Sequence, residues 1–164
     1  MNTPLVKQIA ISGTLFLLFI LPLTASNPQD SIPTVFKIGD YEEQFAQLSK
    51  EYHTSLVEVN NDQLEMVDFT WQELLMQMEY HALKIEFDLN GIQIWLHIFW
   101  NQTGGIDHIA YHLKTESRYV DNEELNAFLR YFRRQYSSTV RYTTGYNHYS
   151  DAGFPLSFHM GKKR

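Results

Sequence analysis

The chain has 164 residues, no cysteine, and a formal net charge of −6 from 13 basic and 19 acidic side chains. Without cysteine, thiol catalysis, disulfide exchange and thiolate metal sites are excluded, and the fold must rest on packing alone. The acidic balance argues against a nucleic-acid partner, which needs a clustered basic patch. The cationic groupings in view are Arg130, Arg133, Arg134 and Arg141, and the terminal Lys162-Lys163-Arg164.

Residues 1–26 read as a secretory signal peptide. Lys7 supplies the positive start, Ile9 to Leu23 is an uncharged apolar run, and Thr24-Ala25-Ser26 is a small-residue exit. The run falls short of the roughly 20 residues that a transmembrane helix needs, and Pro22 interrupts its end. The chain is therefore expected to be exported, periplasmic or secreted, touching a membrane only through this signal, with an uncleaved anchor as the alternative reading of the segment. Lys7 is the single charge in the segment, so the remaining 138 residues carry 12 basic and 19 acidic groups, a net charge of about −7. Residues 27–35, with Pro28 and Pro33, read as a linker, and residues 36–164 as one domain. Its 24 Phe, Tyr and Trp side chains are enough to fill a core, since each buries on the order of 150–250 Å².

Asp40 and Glu43 have the spacing of a capping box, followed by Tyr41, Phe45, Leu48 and Tyr52 at helical intervals. Thr70 and Glu73 repeat the spacing, and Trp71, Leu74, Leu75, Met78 and Ala82 form one apolar stripe. Leu83, Ile85, Phe87 and Leu89 then alternate with polar residues, Asn90-Gly91 follows, and Ile92 to Trp100 alternates again. Two alternating runs joined by Asn-Gly predict a hairpin. A competing reading extends the preceding helix through Ile85 and Leu89, which also fit its stripe. Gln102 to Gly105 predicts a second turn, Ile106 to Leu113 a third strand, and Asp121 with Glu124 a third capping box. The helix that follows carries Leu125, Phe128, Leu129, Phe132 and Tyr136, with Arg133 and Arg134 at its negative end. Phe154 to Phe158 predicts a last strand, at an edge because of Pro155. The fold class expected is α+β, an antiparallel meander of about four strands with helices packed on one face.

The register of these strands gathers one constellation. If His97 faces Ala110, His97 lies diagonally between His108 and His112, on a face that also carries Trp95 and Phe99. Large apolar residues on an otherwise polar face suggest a ligand or partner surface made of Trp95, His97, Phe99, His108 and His112. The other reading folds the aromatic tail, Tyr142, Tyr146, Tyr149 and Phe154, across it. His97, His108 and His112 with Glu86 also make a zinc-like ligand set, the basis of an alternative as a metal-dependent hydrolase. No nucleophile elbow, phosphate loop or dinucleotide fingerprint is present, so no catalytic residue and no cofactor is expected.

Trp71 to Leu75, Met78-Glu79, Phe87 to Gly91, Phe99-Trp100, Gly105 to Ile109, His148-Tyr149-Ser150 and Phe154-Pro155 resemble a family of small exported proteins of the Bacteroidota. That resemblance implies a single exported domain and adds no activity. Residues 104–158 resemble TonB-like C-terminal domains in element order, through Gly105 to Leu113, Ser117, Val120-Asp121, the helix with Leu125 and Phe132, and Phe154 to Phe158. Those are periplasmic modules that pair with a partner's strand. The function expected is a non-enzymatic exported domain that binds a protein or small ligand, the partner being another protein or a second copy of the chain.

Overall fold

The computed structural model describes residues 32–138 and 140–156. The signal segment, most of the linker and the expected strand positions Ser157 and Phe158 lie outside them. The elements are β1 (Val35–Lys37), α1 (Glu42–Glu51), α2 (Leu56–Val59), α3 (Leu64–Lys84), β2 (Gln93–Trp100), β3 (Ile106–Leu113), α4 (Asn122–Gln135) and β4 (Tyr146–Gly153). The strands form one sheet in the order β1-β3-β2-β4. Strand β2 is antiparallel to both neighbours, whereas β1 runs parallel to β3. The architecture is thus α and β with a mixed four-stranded sheet, and the expected antiparallel meander is corrected on two counts. Val35, assigned to the linker, starts a short parallel strand, and β3 reaches β4 by crossing over β2 through α4.

Helix α3 buries Val67, Trp71, Leu74, Leu75, Met78 and Ala82 against one sheet face, and α4 adds Leu125, Phe128, Leu129 and Phe132. The sheet supplies Ile94, Leu96, Ile98 and Trp100 from β2 and Ile106, Ile109 and Tyr111 from β3. Helix α1 lies on the opposite face, where Leu48 and Tyr52 pack with Phe36, Phe99 and Ala110. The expectation of helices on one face only is therefore also corrected. Among the described residues no helix is long and apolar enough to cross a membrane.

Helix starts follow a different logic from the expected boxes. Helix α1 begins after Tyr41, and among the described residues no side chain caps it. Thr70 sits inside α3, its hydroxyl donating to the Met66 carbonyl at 2.8 Å, a use that competes with capping. The reciprocal box belongs instead to α2, where Ser55 and Glu58 exchange bonds. Asp121 does cap α4, accepting from the amides of Glu123 and Glu124.

The expected strand over 83–89 is absent because α3 runs on to Lys84 and ends in a Schellman motif. The Phe87 amide donates to the Ala82 carbonyl and the Glu86 amide to Leu83, with Glu86 at φ +58° in the position usually given to glycine. Phe87 then stacks flat on Phe128, centroids 4.5 Å apart, which ties the loop to α4. Asn90-Gly91 does turn the chain, but with positive φ only at Gly91 and an Ile92 amide to Leu89 carbonyl bond. That is the pattern of a type II turn leading from a helix into β2, not of a two-residue hairpin.

The β2–β3 hairpin closes over 101–105, where Asn101 Oδ1 accepts from the amides of Thr103 and Gly105 and Asn101 Nδ2 donates to Asp107. Gly104 is required there twice over. Its φ is +84°, and a Cβ would lie 2.9 Å from the Ser138 carbonyl oxygen and 3.0 Å from that of Val140. At Gly91, with φ +76°, a Cβ meets only the Arg118 side chain at 3.4 Å or more. Gly91→Ala is expected to cost about 1 kcal/mol, the strain of a non-glycine residue at positive φ. Gly104→Ala should cost clearly more, because backbone must move. Urea midpoints of the two variants check the order, and equal midpoints would refute the steric argument.

Candidate functional site

Trp95, His97 and Phe99 leave β2 on the face away from α3 and α4, opposite His112, Ala110 and His108 of β3. The His97 to Ala110 register is as the hairpin arithmetic expects. On the other side of β2 their partners are Asp151, Tyr149 and Asn147 of β4, in place of the expected strand through Lys84. Glu86 does not join them, because it lies in the turn after α3. Among the described residues no three His, Asp or Glu side chains are arranged to hold a metal ion. The proposed ligand set of His97, His108, His112 and Glu86 is therefore not assembled.

Helix α1 divides this face. Phe45 meets His97 at 5.5 Å and Phe99 at 6.1 Å, Tyr52 meets Phe99 at 5.5 Å, and Phe36 closes the group from β1. Phe99 is fully buried as a result. Its cover is α1, not the aromatic tail. Tyr142, Tyr146 and Phe154 go to the main core on the opposite face.

Two of the imidazoles have positioning roles. Asn147 Nδ2 donates to the carbonyls of Tyr52 and Thr54, which turns its Oδ1 toward His97 Nε2 at 2.9 Å. Oδ1 can only accept, so His97 Nε2 carries the hydrogen and Nδ1 the lone pair of the neutral ring. Burial holds the His97 pKa below its ordinary value, against the opposing effect of the Asn147 bond. His108 Nδ1 donates to the Pro33 carbonyl at 3.2 Å and anchors the segment that leads into β1. His148, on the α3 face of β4, meets Trp71 edge-on at 5.2 Å, and burial lowers its pKa too.

The other half of the face is open. Trp95, half-buried, stacks on Tyr149 at 5.2 Å with 13° between planes, and Tyr149 is 50 % exposed. Lys114 Nζ sits 5.4 Å above the Trp95 ring and pairs with Asp151 at 3.0 Å and Glu116 at 3.3 Å. His112 is exposed beside them. Of the five expected surface residues, Trp95 and His112 remain accessible, His97 is half-buried, His108 is committed to the backbone, and Phe99 is core.

Tyr149 belongs to a feature the sequence reading missed. Strand β4 is an edge. The Phe154 amide bonds inward to the Ile92 carbonyl and the Asn147 amide outward to the Thr54 carbonyl. Antiparallel alternation then points the amide and carbonyl of Tyr149, Asp151 and Gly153 away from β2. Among the described residues those groups have no backbone partner. Along the same edge, on the α3 face, Leu64, Glu65, Val67, Asp68, Trp71, His148 and Ser150 line a groove of about 460 Å³. Leu64 is 68 % exposed there. Compared with protein-family models, curated proteins and solved structures, the chain matches none.

Removing Phe99 as Phe99→Ala is expected to cost about 3–5 kcal/mol, the penalty for a large buried cavity. Trp95→Ala should cost less than half of that, because its side chain is only half-buried in the folded chain. Thermal melts of the two variants check it, and equal losses would place Trp95 in the core. Acid should also weaken the fold. With folded-state pKa values lowered at His97 and His148, the unfolded chain binds more protons below about pH 6.5, so stability falls as pH falls. His97→Gln, which retains a donor for Asn147, is expected to flatten the decline in melting temperature from about pH 7 to about pH 5. An unaltered decline would show that His97 does not contribute to it.

Proposed function

We propose that this chain is an exported, non-enzymatic binding domain whose partner is an extended segment of another polypeptide, added as a strand along β4. The observation that carries the reading is the outward-facing backbone of Tyr149, Asp151 and Gly153 at the edge of the sheet. A free edge of this kind is a template for main-chain hydrogen bonds, and pockets on its two sides select alternate side chains. One side offers the Trp95–Tyr149 stack with Lys114 and Asp151. The other offers the groove floored by Val67 and Trp71 and rimmed by Glu65 and Asp68. The strand that fits therefore alternates an aromatic or apolar residue toward Tyr149 with an apolar or basic residue toward Trp71.

The reading draws on the likeness of residues 104–158 to TonB-like C-terminal domains, modules that pair with a partner's strand, and export rests on the signal-like residues 1–26. A hydrolase reading has less support, because His97, His108, His112 and Glu86 do not converge.

A displayed library of extended peptides tests the proposal. Peptides selected by binding are expected to slow amide exchange at Tyr149, Asp151 and Gly153, and to be lost on Asp151→Pro. That substitution removes an outward donor while leaving the β2 ladder intact, so its melting temperature should stay close to the wild type. Binders that protect other amides, or that tolerate Asp151→Pro in the folded variant, would refute it. Concentration-dependent protection at these amides without peptide would identify the partner as a second copy of the chain.

A further inference from the structure

Helix α3 carries a second apolar stripe, on the side turned away from its core residues. By helical rotation Met66, Phe69, Glu73, Met76, Tyr80 and Leu83 fall opposite Val67, Trp71, Leu74, Met78 and Ala82. From Met66 to Leu83 the spacing alternates three and four, and at 1.5 Å per residue the stripe is about 25 Å long. All but Glu73 are large and apolar, and they are between 40 % and 78 % exposed. Glu73 does not interrupt the stripe with an open charge. Its Oε2 is buried and its Oε1 accepts from Gln77 at 3.3 Å. A surface helix ordinarily has one apolar face, and apolar residues on every side mark a helix that is covered.

The three-four spacing is that of a coiled-coil seam. Met66, Glu73 and Tyr80 form one row, and Phe69, Met76 and Leu83 the other. Such a seam fits a helix with the same spacing, which a second α3 supplies. The flanks decide its direction. Glu65, Gln72 and Glu79 lie along one side of the stripe, and Thr70, Gln77 and Lys84 along the other. Two α3 helices running in the same direction bring Glu79 of each to Lys84 of the other, five positions on. Opposed directions would set the row with Glu65 and Glu79 against itself. Both groups are available for that pairing. Lys84 Nζ lies 5.5 Å from the Tyr80 ring and has no carboxylate partner among the described residues. Glu79 uses only Oε1, which accepts from the Leu156 amide. The area is also sufficient. Five such side chains, each of on the order of 200 Å², leave roughly 500 Å² open per copy. Pairing two copies would bury about 1,000 Å², the lower bound of a specific interface.

We propose that this face of α3 is a dimer interface, on which the α3 of a second copy lies parallel about a twofold axis. A patch that pairs with itself in this way closes at two copies. The seam uses neither Tyr149 nor Asp151, so the dimer carries two β4 edges and can hold two strands at once.

Analytical ultracentrifugation of the full chain is expected to show a dimer at micromolar concentration. Leu83 is mostly in solvent within one copy, so Leu83→Lys should keep the circular dichroism spectrum and sediment as a monomer. Association through residues 1–31 would persist in that variant and so count against the seam. Direction is read by crosslinking, which the absence of cysteine makes specific. In a parallel pair position 83 faces itself, and Leu83→Cys should link two chains rapidly under mild oxidation. In an opposed pair it lies beside Met66, and the two introduced thiols are about 25 Å apart. Tyr119→Cys, exposed but off the seam, sets the rate of chance collision. A monomer at every concentration, a dimer that survives Leu83→Lys, or linkage at 83 no faster than at 119 would overturn the proposal.

Discussion

Strand β2 is hydrogen-bonded on both sides along its length, to β3 and to β4, and this double pairing constrains nearly everything else. Its side chains must alternate between one covered face and one that is covered in part. Ile94, Leu96 and Ile98 go beneath α3 and α4, whereas Trp95, His97 and Phe99 go to the face that α1 covers in part. A shift of one residue would exchange these sets and bury His97 in the aliphatic core. The shift between Phe99 and Trp100 is the one place where the β2–β3 pairing slips. The extra residue is Asp107 of β3, so that Trp100 pairs with Ile106.

Helix α1 is what makes the second face a partial core instead of an open one. It reaches only as far as Phe99 and His97, held by Phe45, Leu48 and Tyr52. Tyr52 is fixed in turn by its hydroxyl bond to Asp107 at 2.6 Å, and Asp107 by Asn101 in the hairpin turn. The border between covered and open face therefore depends on one polar chain running from the turn to the helix. Beyond that border the aromatic stack of Trp95 and Tyr149 lies at the edge strand, where a partner's main chain and its side chains could be read together.

Much of this was legible in the sequence wherever a pattern was long and local. The stripe from Trp71 to Ala82, the limits of β3, the cap at Asp121 and the His97 to Ala110 register all follow from periodicity and turn chemistry. What was illegible depended on distant partners. Residues 83–89 alternate like a strand, yet a helix already under way continues to its own stop, and Phe128 holds Phe87 afterwards. Strand β4, with Asn147, Ser150, Asp151 and Gly153, has little strand propensity, and pairing with β2 imposes its conformation. Strand β1 is too short for any period to show. The same limit applies to the site. Trp95 was rightly marked as an apolar residue on a polar face, but its edge setting could not be seen without β4, nor the burial of Phe99 without α1.

The parallel pairing of β1 with β3 has a consequence in time. Val35 finds its partner at Ile109, far along the chain, so β1 has no strand to pair with until β3 is in place. Closing so long a loop is entropically unfavourable and is repaid late. Until then β3 is itself an edge, and Ile109 and Tyr111 offer outward backbone groups that Thr34 and Ile38 later occupy. The first strand in the sequence thus joins the sheet only after β3, the third, is in place. A chain caught before that step would present two open edges, and a second copy's β1 would suit the vacant one as well as its own.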